Sequence, residues 1–368
     1  MGDSEKVMRE SREDRANMAS NFSPKPRSFL ARWHWWVGYA SLGWSILYCL
    51  LGFYWALGGG GFPFGENDTR GDMMGSFLSN LSADVGGTAI AIICLVGIVV
   101  ALAMVQSWGR WIPKVLILSF SMLMCVTLIL VVPDVRIVQN FAYMFALHFD
   151  LIDWLVVNQV FCIIGGFIWG AAAVAYHLRT REACGNCGRI DASKGTSSIS
   201  MTQWGKWFTY ISIILALPYG IVRWAWAAGI PLGVSGEVWV ANTSLEGKMV
   251  EFILGGLHIG GAILSLGLIQ SWGETFPRWC LFLAKKRIPI WFVVAPATMA
   301  SAIITVAGLK TSIQIISGIV NGTFSITIDN WGEFGPTLFW LPWGISLGAA
   351  TFAYYMRRRG QCKYCGRH

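Results

Sequence analysis

Two matching pairs of cysteines each follow an apolar run. Cys184 and Cys187 lie in the segment CGNCGR, and Cys362 and Cys365 lie in CKYCGR. This spacing lets both thiolates of a pair bind one ion, and the glycine that follows permits a tight turn. Two such turns supply four thiolates, which is a ligand set typical of structural zinc sites. We predict a structural zinc ion at these four cysteines; iron, a redox-active thiol pair or no metal are the alternatives.

Three ionisable residues form a second group, and all of them lie within apolar runs. Charged side chains at membrane depth are costly, so Arg223, Glu251 and His258 are candidates for function. Glu251 and His258 lie two helical turns apart and therefore share one helix face. Arg223 falls near the end of its predicted helix and Glu251 near the start of the next, which predicts an ion pair. Pro218, just before Arg223, removes a helix hydrogen bond and predicts a kink there.

The chemistry of this group allows two interpretations. In the functional one, Arg223 binds an anionic group, while Glu251 and His258 handle protons, because imidazole titrates near neutral pH. In the other, the ion pair only holds two helices together, and His258 is a satisfied buried side chain. Asp134 and Lys310 fall at matching ends of two further predicted helices, where they could pair or be solvated.

The elements that must position these residues are membrane helices. The chain of 368 residues is 55% hydrophobic and 13% charged, with a mean hydropathy of +0.53. Soluble domains carry about 25% charged residues, and a bilayer-spanning helix needs roughly 20 apolar residues. The composition therefore excludes a soluble globular protein. It predicts an all-α polytopic membrane protein with eight transmembrane helices, at 34–57, 86–108, 112–133, 155–177, 207–229, 250–272, 289–309 and 335–356.

The basic residues predict the orientation of these helices. The net charge is +8, and most of the 28 Lys and Arg residues fall in alternate connecting segments and in the two terminal segments. Basic residues concentrate on the cytoplasmic side of membrane proteins. We therefore predict a multi-pass protein of the cell membrane with both termini in the cytoplasm. The positive charge then reflects topology and does not indicate nucleic-acid binding.

The two halves of the chain resemble each other. Residues 170–189 match 348–367 without a gap, and shorter matches occur in the same order at the ends of other predicted helices. An even number of helices per copy gives both copies the same orientation, as in parallel transporter repeats. We predict a cytoplasmic tail at 1–33, a first four-helix repeat at 34–190, a linker at 191–206 and a second four-helix repeat at 207–368. Each repeat ends in one of the cysteine pairs.

Alignment of the two repeats shows where they differ. Arg223 falls at the position of Gly52, Glu251 at that of Gly87, and His258 at that of Cys94. The polar cluster is thus predicted in the second repeat alone.

Two segments on the outer side are too polar to span the membrane. We predict an interfacial helix within 134–153, and an extended segment at 311–330, which is rich in Ile and Thr.

Residues 54–59, with the sequence YWALGG, resemble a motif of small uncharacterised bacterial four-helix membrane proteins. The resemblance covers only this segment and implies no activity. The favoured interpretation of the chain is a transporter or permease for an unknown small molecule, surrounded by membrane lipids. One alternative is a membrane enzyme acting on a lipid or quinone. The other is a non-catalytic assembly, immunity or sensor protein with a zinc-clipped cytoplasmic face.

Overall fold

The computed structural model describes residues 33–65, 68–106, 109, 111–145, 147, 149, 151–181, 183–184, 188, 198–276 and 284–359. Within these ranges the chain is α-helical, with one isolated β-bridge between Thr275 and Arg287. The helices of seven or more residues are α1 (Trp33–Ala56), α2 (Ala83–Val105), α3 (Lys114–Val126), α4 (Arg136–Phe145), α5 (Trp154–Thr180), α6 (Ser198–Ala227), α7 (Gly236–Asn242), α8 (Leu245–Leu266), α9 (Ile290–Val320) and α10 (Trp340–Arg358). Shorter helical segments are Ser271–Gly273, Trp331–Phe334 and Gly335–Phe339. A π-helical turn, Thr127–Val131, extends α3.

Seven of the described helices are long and apolar enough to cross a membrane, which is the character of an integral membrane protein. They are α1, α2, α3 with its π-helical turn, α5, α6, α8 and α9. The eighth predicted run is helical as α10, but this helix of 19 residues ends in two arginines and is not among the seven. The names outer and cytoplasmic are used below for the two faces according to the orientation that the sequence predicts.

The long helices pack as two groups. In the first bundle, α1 packs against α2 and α5, and α3 packs against α5. In the second bundle, α6 packs against α8 and α10, and α9 packs against α10. The order of packing is therefore the same in both groups, with α1 and α6 in corresponding places.

Corresponding helix ends also share their local geometry. After α1, Gly58 has a φ of 86° and donates its N–H to Trp55 O at 3.0 Å. After α6, Gly229 has a φ of 87° and donates to Trp226 O at 2.9 Å. Such a backbone conformation favours glycine. Both helices thus end in the same type of turn, each beside a buried tryptophan.

The short helix α4 connects the two bundles on the outer side. It is strongly amphipathic, as the sequence predicts for 134–153, and it contacts α5 of its own bundle. It also contacts α8 and α9, and Val138 packs against the core of the second bundle. The interfacial segment of the first half therefore covers part of the second half.

One prediction for the second half is wrong. Residues 311–330 are not extended throughout, because α9 continues to Val320. The β-branched residues there remain helical, since a helix satisfies its own backbone hydrogen bonds and Lys310 and Gln314 anchor it to the first bundle. Within the predicted linker 191–206, residues from Ser198 onward belong to α6.

Candidate functional site

Arg223 of α6 and Glu251 of α8 form the ion pair that the sequence predicts. Arg223 Nη1 donates to both carboxylate oxygens of Glu251, at 2.9 Å each. The Glu251 side chain is only 4% exposed and that of Arg223 is 17% exposed. A charge buried in an apolar environment is tolerated when it is paired, and the two opposite charges here neutralise each other.

Close approach of the two helices makes this contact possible. A Cβ built on Gly255 would lie 3.0 Å from Gly220 O, and one built on Gly220 would lie 3.2 Å from Gly255 O. One turn away, Trp224 Nε1 donates across the same crossing to Phe252 O at 3.1 Å. Glycines therefore bring α6 and α8 together, and the bond from Arg223 to Glu251 joins the same two helices.

Two aromatic rings flank the guanidinium of Arg223. Its Cζ lies 4.7 Å from the ring centroid of Tyr219 and 4.6 Å from that of Trp226. These distances are within the range of cation–π interactions. The Nε atom of Arg223 is buried and has no hydrogen-bond acceptor among the described residues. The guanidinium is thus held by one carboxylate and two rings, with one of its donors unused.

His258 belongs to the same aromatic cluster. Its Nδ1 lies 2.9 Å from Leu254 O, one turn earlier on α8. Its ring centroid lies 4.1 Å from that of Tyr219, 5.2 Å from that of Trp343 and 6.0 Å from that of Trp340. The three residues predicted as a site are therefore neighbours in the second bundle, and Tyr219 contacts both Arg223 and His258.

The sequence interpretation missed Tyr219 and the tryptophans of α10. The indole Nε1 atoms of Trp340 and Trp343 are buried and have no acceptor within the described ranges. Tyr143 of α4 is close enough to interact electrostatically with Tyr219 and Arg223. Only the alignment of the repeats could have indicated Tyr219, because it falls opposite Tyr48 of the first bundle.

Tyr48 is also the centre of a polar cluster, which contains no charge. Its hydroxyl accepts a hydrogen bond from Asn158 Nδ2 at 3.3 Å and lies 3.5 Å from Cys162 Sγ. Cys94, at the position corresponding to His258, is buried nearby. The two bundles therefore hold related polar cores, of which the second is charged.

A second ionic network lies on the outer side, around Arg136. The Arg136 guanidinium contacts the carboxylates of Asp134 and Asp68, and Gln159 Nε2 donates to Asp134 Oδ2 at 2.8 Å. Burial alone would lower the pKa of Arg136, but the hydrogen bonds and charges of Asp134 and Asp68 outweigh it and raise this pKa. Arg136 therefore stays protonated and fixes the loop that carries Asp68.

Lys310 of α9 reaches into the first bundle beside this network. Its Nζ donates to Val131 O at 3.0 Å and lies 3.2 Å from the centroid of the Phe77 ring. Asp134 and Lys310 are each 1% exposed, so neither is solvated at the surface. Among the described ion pairs, Asp134 is bonded to Arg136 instead of Lys310. Instead of pairing with each other or being solvated, Asp134 binds Arg136 and Lys310 binds a main-chain carbonyl.

The predicted zinc ligands fall largely outside the described residues. Of the four, only Cys184 is described; Cys187, Cys362 and Cys365 are not. Gly188 has a φ of 71° and donates its N–H to Cys184 O at 2.7 Å, which is a turn-type hydrogen bond. The described part of the chain contains no group of three or more potential metal-ligating residues.

Comparison with known proteins assigns no class beyond the integral membrane protein that the helices indicate. No protein family, curated protein or solved structure matches the chain. The motif at residues 54–59 is therefore not accompanied by a family match.

Proposed function

We propose that the protein is a membrane carrier built from two four-helix repeats, with its polar site in the second repeat. The observation that carries this proposal is the Arg223–Glu251 pair, which is buried between two membrane helices. A pair that served packing alone could be replaced by apolar residues of similar volume at little cost to stability. Membrane proteins use intramembrane charges mostly at substrate, ion and proton pathways.

The comparison of the two bundles supports a specialised role for the second one. The packing order of the helices is the same in both, and so is the turn that ends α1 and α6. We infer that the chain arose by duplication, with α10 as its eighth span and both termini in the cytoplasm. The first copy then provides the scaffold, while the second carries Arg223, Glu251 and His258.

The boundary between the bundles is a less suitable place for a polar substrate. A small cavity lies there, lined by apolar side chains from both bundles, among them Ile129, Ile163 and Ile303. Such a surface offers no hydrogen bonds to a polar solute. The carrier site that we propose therefore lies within the second bundle, between α6, α8 and α10.

Uptake into proteoliposomes tests the carrier function. Labelled compounds of different charge are offered to the wild-type protein and to Arg223→Gln, Glu251→Gln and His258→Ala variants. We expect uptake of one charge class, reduced by about tenfold or more in the Arg223 and Glu251 variants, because each leaves a buried charge unpaired. Glu246→Gln is the matched control, since Glu246 is exposed and lies on the same helix. Uptake that all three site variants retain would reject the site, and absence of any uptake would reject the carrier.

We further propose that Cys184, Cys187, Cys362 and Cys365 hold a structural zinc ion that joins the two repeats. The first cysteine pair follows α5, which ends at Thr180, and the second follows α10, which ends at the matching Arg358. The tight turn at Gly188 supports the geometry that a cysteine knuckle requires. We expect one zinc per chain in purified protein, measured by mass spectrometry, and its loss in the Cys184→Ser variant. Cys125→Ser is the control, and a metal-free wild-type protein purified under reducing conditions would refute the proposal.

A further inference from the structure

The ion pair of Arg223 uses only part of the guanidinium. Both oxygens of Glu251 are bound by the same nitrogen, Nη1. Nε is buried without an acceptor among the described residues. Guanidinium groups bind carboxylates most strongly through two parallel N–H donors. The Nε edge of Arg223 is thus available to a second acceptor, and nothing in the described protein supplies one.

We propose that this edge binds the carboxylate of a small monoanionic substrate, and that Glu251 takes up one proton with each anion. The inference rests on the proposed carrier function and specifies its substrate class and coupling. The proton comes from the solution on the side of entry and binds a carboxylate oxygen of Glu251. The negative charge of the substrate then replaces that of Glu251 beside Arg223. On release, the proton leaves Glu251, and its carboxylate pairs with Arg223 again.

The charge balance of the site requires this coupling. Arg223 and Glu251 together are neutral, so an added anion alone would place an uncompensated charge in a buried environment. Protonation of Glu251 restores neutrality. The edge of the guanidinium that carries Nε also carries Nη2, and these two parallel donors can bind both oxygens of the substrate carboxylate. The other titratable groups that face Arg223 are Tyr219 on α6, Tyr143 on α4 and His258 on α8. Of these groups, Glu251 is the carboxylate that binds the Arg223 guanidinium, at 2.9 Å through both oxygens.

The surroundings favour a carboxylate with an apolar body. The rings of Tyr219 and Trp226 flank the guanidinium, and the aromatic cluster with His258 continues from Tyr219. One guanidinium edge matches the two oxygens of a carboxylate. A phosphate, by contrast, has further oxygens that would need donors of their own.

Proteoliposomes that contain a pH-sensitive dye measure anion and proton movement together. The probes are labelled pyruvate, L-lactate and phenylpyruvate, with labelled phosphate and labelled glycerol as an inorganic anion and a neutral solute. We expect acid outside the vesicles to drive accumulation of at least one monocarboxylate, with one proton entering per anion. Changing the membrane potential at a fixed pH gradient leaves the rate of anion uptake unchanged, because one anion and one proton together carry no net charge.

Variants separate the coupling from the carrier function. Glu251→Gln resembles the protonated carboxyl group, so it loses proton-driven accumulation completely, whereas exchange of labelled for unlabelled anion is reduced but still measurable. Arg223→Gln loses both activities, and Glu246→Gln keeps both. Normal proton-driven accumulation in Glu251→Gln would overturn the coupling, and uptake of phosphate in place of carboxylates would overturn the substrate class. Glycerol uptake that depends on Arg223 would overturn the inference but retain the carrier, whereas no uptake of any probe would reject both.

Discussion

Gly52 of α1 and Gly87 of α2 touch through their main chains. A Cβ built on either residue would lie 2.8 Å from the carbonyl oxygen of the other. In the sequence alignment of the two halves, these positions correspond to Arg223 and Glu251. The two corresponding contacts therefore differ, because glycines meet in the first and an ion pair forms in the second. The second bundle therefore lacks the glycine contact of the first bundle at the place where it carries charge.

The glycine contact predicts a position-specific effect of alanine. Gly87→Ala places a methyl group against the backbone of α1 and should destabilise the protein by about 1–3 kcal/mol through overpacking. Gly43→Ala on α1 is the control, because a Cβ there meets nothing within 4 Å. It should be neutral or stabilising, since alanine favours the helix by about 0.5–1 kcal/mol. Thermal unfolding in detergent compares the two variants. An equal loss of stability in both would show that the backbones at Gly52 and Gly87 are not in close contact.

The sequence predicts the spans and the Arg223–Glu251 pair for a clear physical reason. Charges within apolar runs are rare, and the ends of consecutive antiparallel helices meet at the same face of the membrane. The aromatic cluster is different, because Tyr219, His258 and Trp340 come from three helices. Their rotation about the helix axes depends on packing that an almost uniformly apolar sequence does not reveal.

The outer network shows the same limit. Matching helix ends correctly predict that Asp134 and Lys310 lie near each other, but not their partners. The π-helical turn at Thr127–Val131 alters the carbonyl pattern before Asp134, and Lys310 binds the carbonyl of Val131. The sequence likewise does not predict that α9 continues to Val320, because the preference of Ile and Thr for strands depends on packing.

A double replacement distinguishes a functional ion pair from a structural one. Arg223→Gln or Glu251→Gln alone should destabilise the protein by about 3–5 kcal/mol, because the partner charge stays buried. The combined variant Arg223→Met with Glu251→Leu should recover most of this stability while losing uptake. Unfolding and uptake are measured on the same preparations. If the double variant is as unstable as the single ones, the pair is needed for folding itself.

Arg136 should contribute far more stability than the other arginine of the outer side. Arg136→Ala leaves Asp68 and Asp134 buried without their cation and should cost about 3–5 kcal/mol. Arg70→Ala breaks the exposed pair with Asp153, where the side chains are 40% and 36% exposed, and should cost at most about 1 kcal/mol.

The pH dependence of the Arg136 contribution follows from its raised pKa. Stability from a cation with a raised pKa is complete below the ordinary value and is lost only as the pH rises through the folded one. The difference in the free energy of unfolding between wild type and Arg136→Ala should therefore not decline between neutral and moderately alkaline pH. Unfolding midpoints of both proteins at several pH values measure this difference. A steady decrease of the difference as the pH rises over this range would contradict the raised pKa of Arg136.

Lys310 should hold the two bundles together on the outer side. Its Nζ bonds the carbonyl of Val131 and covers the ring of Phe77, while Gln314 bonds the carbonyls of Asp72 and Met73. Lys310→Met removes the donor and leaves a buried carbonyl unsatisfied, which costs about 1–3 kcal/mol. Hydrogen exchange should then rise in residues 68–81 and 132–145, whereas the exposed Lys206→Met control leaves both segments unchanged. Unchanged protection in Lys310→Met would mean that α4 and Gln314 suffice to join the bundles.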